Sequence, residues 1–134
     1  MEADKMDQEL FRAALQARQN AYAPYSKFAV GAAVRTIDGK IFTGCNVENA
    51  SYGMSMCAER NAIFAAVGQG YTDITDLCVT ADTEKPVAPC GACRQVIAEF
   101  KIPVVWLTNC AGQCKKMTGA ELLPYVFQDK DFLK

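Results

Sequence analysis

The sequence predicts an α/β fold, with one mixed sheet covered by helices. Three observations carry that prediction. The apolar residues alternate between helical spacing and short β-type runs, in the order helix, two strands, helix, strand, helix, strand. The chain has 134 residues, enough to bury one core without disulfides. No repeat, low-complexity tract or linker interrupts it, so residues 1–134 are expected to form a single domain.

The first helix is expected over residues 4 to 20, where Leu10, Ala13, Ala14 and Ala17 make an apolar face among charged residues. Ala23-Pro24-Tyr25-Ser26 breaks it. Phe28 to Thr36 is apolar and branched enough for a strand, Asp38-Gly39 supplies a turn, and Ile41 to Cys45 completes a hairpin. From Cys57 to Val67 the spacing of Ala58, Ala62, Ile63, Ala65 and Ala66 is helical, and Gly68 and Gly70 mark the stop. Asp76 to Ala81 reads as a short strand. A helix follows from Cys90 to Phe100, ended by Lys101 and Pro103, and Val104 to Thr108 reads as a buried strand. Thr118 to Pro124 reads as a short turn or helix.

Charge and composition exclude several classes of function. Acidic and basic residues are mixed along the chain and the net charge is −1, without the basic stripe of a nucleic-acid binder. No apolar run approaches the ~20 residues that cross a bilayer. Met1 to Leu10 is polar and lacks a signal-peptide core, so no membrane partner and a cytoplasmic location are expected. In that setting seven cysteines are metal ligands, catalytic groups or buried apolar residues. Histidine is absent, so a general base must be Asp, Glu, Lys, Tyr or Cys, and a zinc site must use thiolates or carboxylates.

Two segments bring such groups together: Cys57-Ala58-Glu59-Arg60 and Pro89-Cys90-Gly91-Ala92-Cys93. Each precedes a helical pattern, and the unpaired N–H groups of a helix N-terminus favour thiolate over thiol. The spacing of Cys90 and Cys93 puts both sulfurs on one side of a first turn. Cys57, Cys90 and Cys93 make three ligands, which leaves a fourth zinc position for water, as in catalytic sites. Glu59 sits where a carboxylate can carry that water's proton. Three thiolates on Zn²⁺ leave a formal charge of −1, and Arg60, three residues after Cys57, is the candidate to offset it.

These two segments, continued by Arg94-Gln95, resemble the two zinc motifs of the cytidine deaminase family. The resemblance extends through Tyr25-Ser26-Lys27-Phe28, Val30-Gly31-Ala32-Ala33, Gly44-Cys45-Asn46-Val47-Glu48-Asn49-Ala50 and Glu121-Leu122-Leu123-Pro124, which spans most of the chain. Residues 109 to 117 and the spacing around Tyr125-Val126-Phe127 depart from the family pattern. The resemblance implies a single-domain, three-layer α/β/α sandwich with a mixed sheet of about five strands. It implies one Zn²⁺ per subunit and deamination of free cytidine and 2′-deoxycytidine in pyrimidine salvage, with Glu59 moving protons between water, N3 and the leaving amine. It places the ribose against Asn46 and Glu48, Phe28 against the nucleoside, and the backbone of Ala58 at the pyrimidine carbonyl. Members of this three-cysteine type are homotetramers, and on that pattern Ala50, Tyr52 and Phe127 reach into a neighbour's site, with Phe132 as a second candidate for the role of Phe127.

Other readings of the same residues stay open. Cys90, Cys93, Cys110 and Cys114 spell Cys-x2-Cys-x16-Cys-x3-Cys, a spacing that suits a structural zinc in a non-catalytic interaction module. A blasticidin-S-type deaminase shares the Cys-Ala-Glu segment. Cys45 and Cys78 fit small buried apolar residues on strands. Glu59 could simply favour its helix N-terminus, Asn46 and Glu48 could be turn residues, and Phe28 could be core.

Overall fold

The structure is a computed structural model that describes residues 6–133. Residues 4 and 5 of the expected first helix, the stretch Met1 to Lys5 and Lys134 lie outside the described residues. Helix α1 spans Gln8–Arg18. It starts there because Asp7 caps it, with Oδ1 accepting the N–H of Leu10 at 3.0 Å. Strands β1 (Val30–Thr36) and β2 (Ile41–Cys45) form the expected hairpin. They are followed by α2 (Ala58–Gly68), β3 (Ile74–Ala81), α3 (Gly91–Glu99) and β4 (Val104–Asn109). The chain continues through β5 (Cys114–Met117) and the short α4 (Gly119–Leu122).

Several boundaries and one element differ from expectation: α1 is shorter at both ends than the expected 4 to 20, and β3 starts at Ile74, two residues early. Phe28 and Ala29 lie before β1, because Asn46 takes the backbone of this segment with its side chain. Gly68 is inside α2 instead of stopping it. Strand β5 carries no clear sequence pattern: it is four residues of Cys-Lys-Lys-Met on the sheet edge, where lysines discourage further pairing.

The five strands make one sheet in the order β2-β1-β3-β4-β5. Only β3 and β4 are parallel, and α3 makes the crossover between them. Alternation along the strands divides the side chains between two faces. On one face Val30, Ala32, Val34, Leu77, Val79, Val105 and Leu107 pack with Ala58, Ala62, Ile63 and Ala66 of α2, Ile97 of α3 and Leu122 of α4. On the other, Ala33, Cys78 and Trp106 meet Leu10, Phe11 and Ala14 of α1. The result is a three-layer α/β/α sandwich with a mixed five-stranded sheet, as expected. Arg35 of β1 fastens α1 to the sheet, reaching Asp7 at 2.7 Å and Glu9 at 3.2 Å.

Helix α2 is rich in alanine, and small side chains let it lie close to the sheet. At Gly44 of β2 the approach is backbone to backbone: a Cβ there would come within 2.4 Å of the Ala62 nitrogen and 2.6 Å of the Ala58 oxygen. The carbonyl of Cys45, one residue on, accepts from Asn61 Nδ2 at 2.8 Å. Helix α2 is thereby held at a defined depth and rotation, and with it whatever its N-terminus carries. Gly44→Ala is expected to destabilise the fold by about 1–3 kcal/mol in urea unfolding, through overpacking. Gly68→Ala, where a Cβ meets nothing within 4 Å, is expected to be neutral or stabilising in the same measurement.

Candidate metal centre and active site

Cys57 is the N-cap of α2 and Cys90 the N-cap of α3, both with extended backbone, and neither side chain caps its own helix. The sulfurs are thus left for another partner. Cys93 lies in the first turn of α3 and is fully buried. Two independent supports hold this geometry. Asn61 and Gly44 seat α2, as described. The segment leading into α3 is fastened by Val87 N–H to the Thr108 carbonyl (3.1 Å) and by Asn109 Nδ2 to the carbonyls of Thr83 (2.9 Å) and Glu84 (3.2 Å). Arg94 closes the support, donating from Nε to the Pro89 carbonyl (3.0 Å) and from Nη1 to the Leu122 carbonyl (2.9 Å).

The sulfurs of Cys57, Cys90 and Cys93 all lie within 4.8 Å of one another, and those of Cys57 and Cys90 are 3.6 Å apart. Tetrahedral zinc with Zn–S bonds of ~2.3 Å puts its sulfurs about 3.8 Å apart, so the donor set fits zinc in chemistry and in spacing. The rival set does not assemble. Cys114 sits on β5 opposite Thr108 and packs with the α1-side cluster, across the sheet from Cys93. A structural site from Cys90, Cys93, Cys110 and Cys114 is therefore ruled out: among the described residues the sulfurs that converge belong to Cys57, Cys90 and Cys93.

The surroundings already favour anionic sulfur at Cys57. Its thiol is pushed down to about 5, first by the hydrogen bond with Cys93 and next by Arg60, whose Nη2 donates to Sγ at 3.4 Å. Cys93 is pushed up, first by holding the proton of that same bond and then by burial. Arg60 is held more firmly protonated, chiefly by Cys57. It stands where the sequence placed it, as the positive charge beside the thiolates. Glu59, the second residue of α2, is only 4% exposed. Burial pushes its carboxyl up to about 7, against the opposing effects of its own backbone N–H first, then of Arg60 and Cys93. Such a carboxyl both accepts and donates a proton at neutral pH.

The segment expected to meet the ribose is joined directly to the metal-binding segment. Val47 and Met56 form an antiparallel bridge, with N–H to carbonyl distances of 3.0 and 2.9 Å, and Met56 immediately precedes Cys57. Asn46 grips the chain around Phe28: Nδ2 donates to the Phe28 carbonyl at 2.7 Å and Oδ1 accepts from Val30 N–H at 2.9 Å. Glu48 lines a hollow of about 440 Å³ with Tyr25, Ser26, Tyr52 and Ser55. Phe28 is partly exposed, and Ala50 is exposed beyond Glu48. Tyr52 meets Tyr25 of its own chain edge-on, ring centres 6.1 Å apart, at the mouth of that hollow. Phe127 lies elsewhere. It stacks on Phe132 at 5.8 Å, its carbonyl accepts from Gln95 Nε2, and it lines a groove of about 630 Å³ between α3 and the C-terminal segment. Sequence reading missed Ser26, Asn61, Arg94 and Asn109. Their roles are long-range hydrogen bonds, and the only local cue is Ser26 in the break before Phe28.

Cys57→Ser, Cys90→Ser or Cys93→Ser is expected to reduce bound zinc well below one per chain by elemental analysis, while Cys110→Ser/Cys114→Ser keeps it. Arg60→Ala is expected to weaken zinc retention about 10–100-fold in chelator competition, the usual effect of removing a group that supports a metal ligand.

Comparison with known proteins agrees with this geometry. The family model described as "Cytidine and deoxycytidylate deaminase zinc-binding region" matches residues 4–109. The cytidine deaminase of Sporosarcina psychrophila is 52% identical over 127 residues, covering 92% of this chain and 93% of that one. That of Halalkalibacterium halodurans is 50% identical over 127 residues, covering 92% and 96%. The crystal structure of cytidine deaminase from Burkholderia pseudomallei superposes with a TM-score of 0.88 at 50% identity, covering 91% of this chain and 99% of that one. A zinc centre of three cysteines, a buried glutamate beside it and a match over most of the length lead to one conclusion: the chain belongs to the cytidine and deoxycytidylate deaminase family.

Proposed function

We propose that this enzyme deaminates cytidine and 2′-deoxycytidine to uridine and 2′-deoxyuridine, releasing ammonia, as a step of pyrimidine salvage. The observation that carries the reading is the three-sulfur centre with Glu59 buried against it, joined through the Val47–Met56 bridge to the Glu48 hollow. Zinc held by Cys57, Cys90 and Cys93 supplies Lewis acidity that makes water reactive at neutral pH. Glu59 takes a proton from the attacking water and delivers it to N3, then carries the second water proton to the amine leaving C4. Each proton it takes is returned, so one water enters, one ammonia leaves, and the carboxyl ends as it began. Arg60 keeps the three-thiolate centre near neutral overall, which preserves its pull on the water.

The remaining contacts follow the same reading. Asn46 and Glu48 hold the ribose, Phe28 packs against the nucleoside, and the Ala58 N–H at the start of α2 meets the pyrimidine carbonyl, where helix N-terminal donors are unpaired. Each subunit is one domain over residues 1–134, and four subunits assemble. Large exposed side chains support that assembly: Tyr52 is 76% exposed, Met54 68% and Phe127 62%. Ala50, Tyr52 and Phe127 then complete a neighbour's site. Among the described residues no helix is long and apolar enough to cross a membrane. The enzyme works on a free nucleoside in the cytoplasm, a reducing compartment that suits a chain with seven free cysteines.

Absorbance loss and ammonia release with cytidine, 2′-deoxycytidine, cytosine and blasticidin S test the substrate directly. Turnover of both nucleosides is expected; activity on cytosine or blasticidin S alone would overturn the reading. Glu59→Gln is expected to lower kcat by at least about 10²–10⁴-fold while zinc content stays at one per chain. Phe127→Ala is expected to raise KM for cytidine with little change in zinc content, and the wild-type protein to sediment as a tetramer.

A further inference from the structure

The loop before β1 has an unusual construction. Residues 25 to 28 belong to no helix or strand, yet all four of their backbone N–H groups are bound by the chain itself, that of Lys27 by the Ala23 carbonyl at 3.0 Å. Glu48 Oε1 accepts the N–H of Tyr25 at 3.0 Å and of Ser26 at 3.1 Å. Glu48 Oε2 accepts the hydroxyl of Ser26. The Ser26 hydroxyl oxygen in turn accepts the N–H of Phe28 at 3.0 Å. Between them Lys27 has φ 62°, a left-handed conformation that a lysine adopts only when its neighbours impose it. The peptide of Phe28 is thus held on both sides, at N–H by Ser26 and at the carbonyl by Asn46.

We propose that Ser26 is a positioning residue of the nucleoside pocket, whose hydroxyl sets the Glu48 carboxylate and the Phe28 ring in register with each other. A hydroxyl is the group this task needs, because it donates to a carboxylate and accepts from an amide at the same time. The count of acceptors agrees. A carboxylate offers about four lone-pair sites, and the loop fills three of them with Tyr25 N–H, Ser26 N–H and Ser26 O–H. One site stays open to a sugar hydroxyl, and its direction is fixed by the other three. Bonds to an ionised group are the stronger kind, so this network defines a geometry despite its exposure. The inference rests on the proposed role of Glu48 in ribose recognition and adds to it the residue that aims the carboxylate.

Steady-state kinetics of Ser26→Ala and Ser26→Thr with cytidine and 3′-deoxycytidine test this. Ser26→Ala is expected to raise KM for cytidine about tenfold, the loss of one hydrogen bond to a charged group, with kcat within about twofold. Ser26→Thr keeps both hydrogen-bond functions and is expected to restore KM to within about threefold of wild type. The preference for cytidine over 3′-deoxycytidine is expected to shrink in Ser26→Ala. An unchanged KM in Ser26→Ala, a loss in kcat alone, or loss of zinc or of the folded state would overturn the proposal. If wild type handles the two nucleosides equally, ribose recognition by Glu48 is what fails. The cytidine KM of Ser26→Ala still decides the role of Ser26, because Phe28 hangs on the same hydroxyl.

Discussion

Two helix N-termini meet at one end of the sheet, and each delivers sulfur to the same point. The backbone contact at Gly44 sets one of them, since α2 packs so closely on β2 that no side chain intervenes to give way. The parallel pairing of β3 and β4 sets the other, because α3 must cross from one strand to the next, and residues 82–90 that lead into it are pinned to the end of β4. Everything chemical follows from this convergence. Cys57 and Glu59 come from the first helix, Cys90 and Cys93 from the second, and Asn109 and Arg94 hold the second approach in place. In open α/β sheets the carboxyl ends of parallel strands are where loops gather, and here that end is where the chemistry gathers.

Charge is handled by position more than by number. Bringing three thiolates together costs repulsion, and each of three features offsets part of it. Helix N-termini present partial positive charge to Cys57 and Cys90, Arg60 donates to Cys57, and a divalent cation completes the balance. Glu59 is treated the opposite way. Burial removes it from water, which pushes its carboxyl up to about 7. Cys57 and Glu59 lie two residues apart at the start of one helix and yet sit in environments that push them in opposite directions.

The elements with strong period were readable from the chain alone: β2, α2, β3, α3 and β4 lie within one or two residues of expectation. The metal set was readable for a different reason: without histidine only thiolates and carboxylates remain as ligands, and Cys57, Cys90 and Cys93 stand at the starts of two helical patterns. Strand β5 was not readable, since a short edge strand with two lysines has neither alternation nor apolar content. Nor was the network around Glu48, whose partners lie 22 and 23 residues away and leave no periodic trace. The placement of Phe127 beside Phe132 and Gln95 has a similar cause, for a tail whose regular structure is one 3-10 turn at Asp129–Asp131 takes its position from tertiary contacts.

The bridge between Val47 and Met56 bears on how such an enzyme can be altered. On the proposed reading, the segment that meets the sugar and the segment that leads into the metal ligand Cys57 are paired backbone to backbone, so a change made for one is felt by the other. A redesign that reshapes the backbone at Asn46 or Glu48 to admit a different sugar would shift Met56, and Cys57 is the next residue. Changes of side chain that leave this bridge in place are the safer route to a new specificity. Selection for altered nucleoside choice should therefore favour the hollow's other side chains, Tyr25, Tyr52 and Ser55, over the bridged segment that carries Glu48.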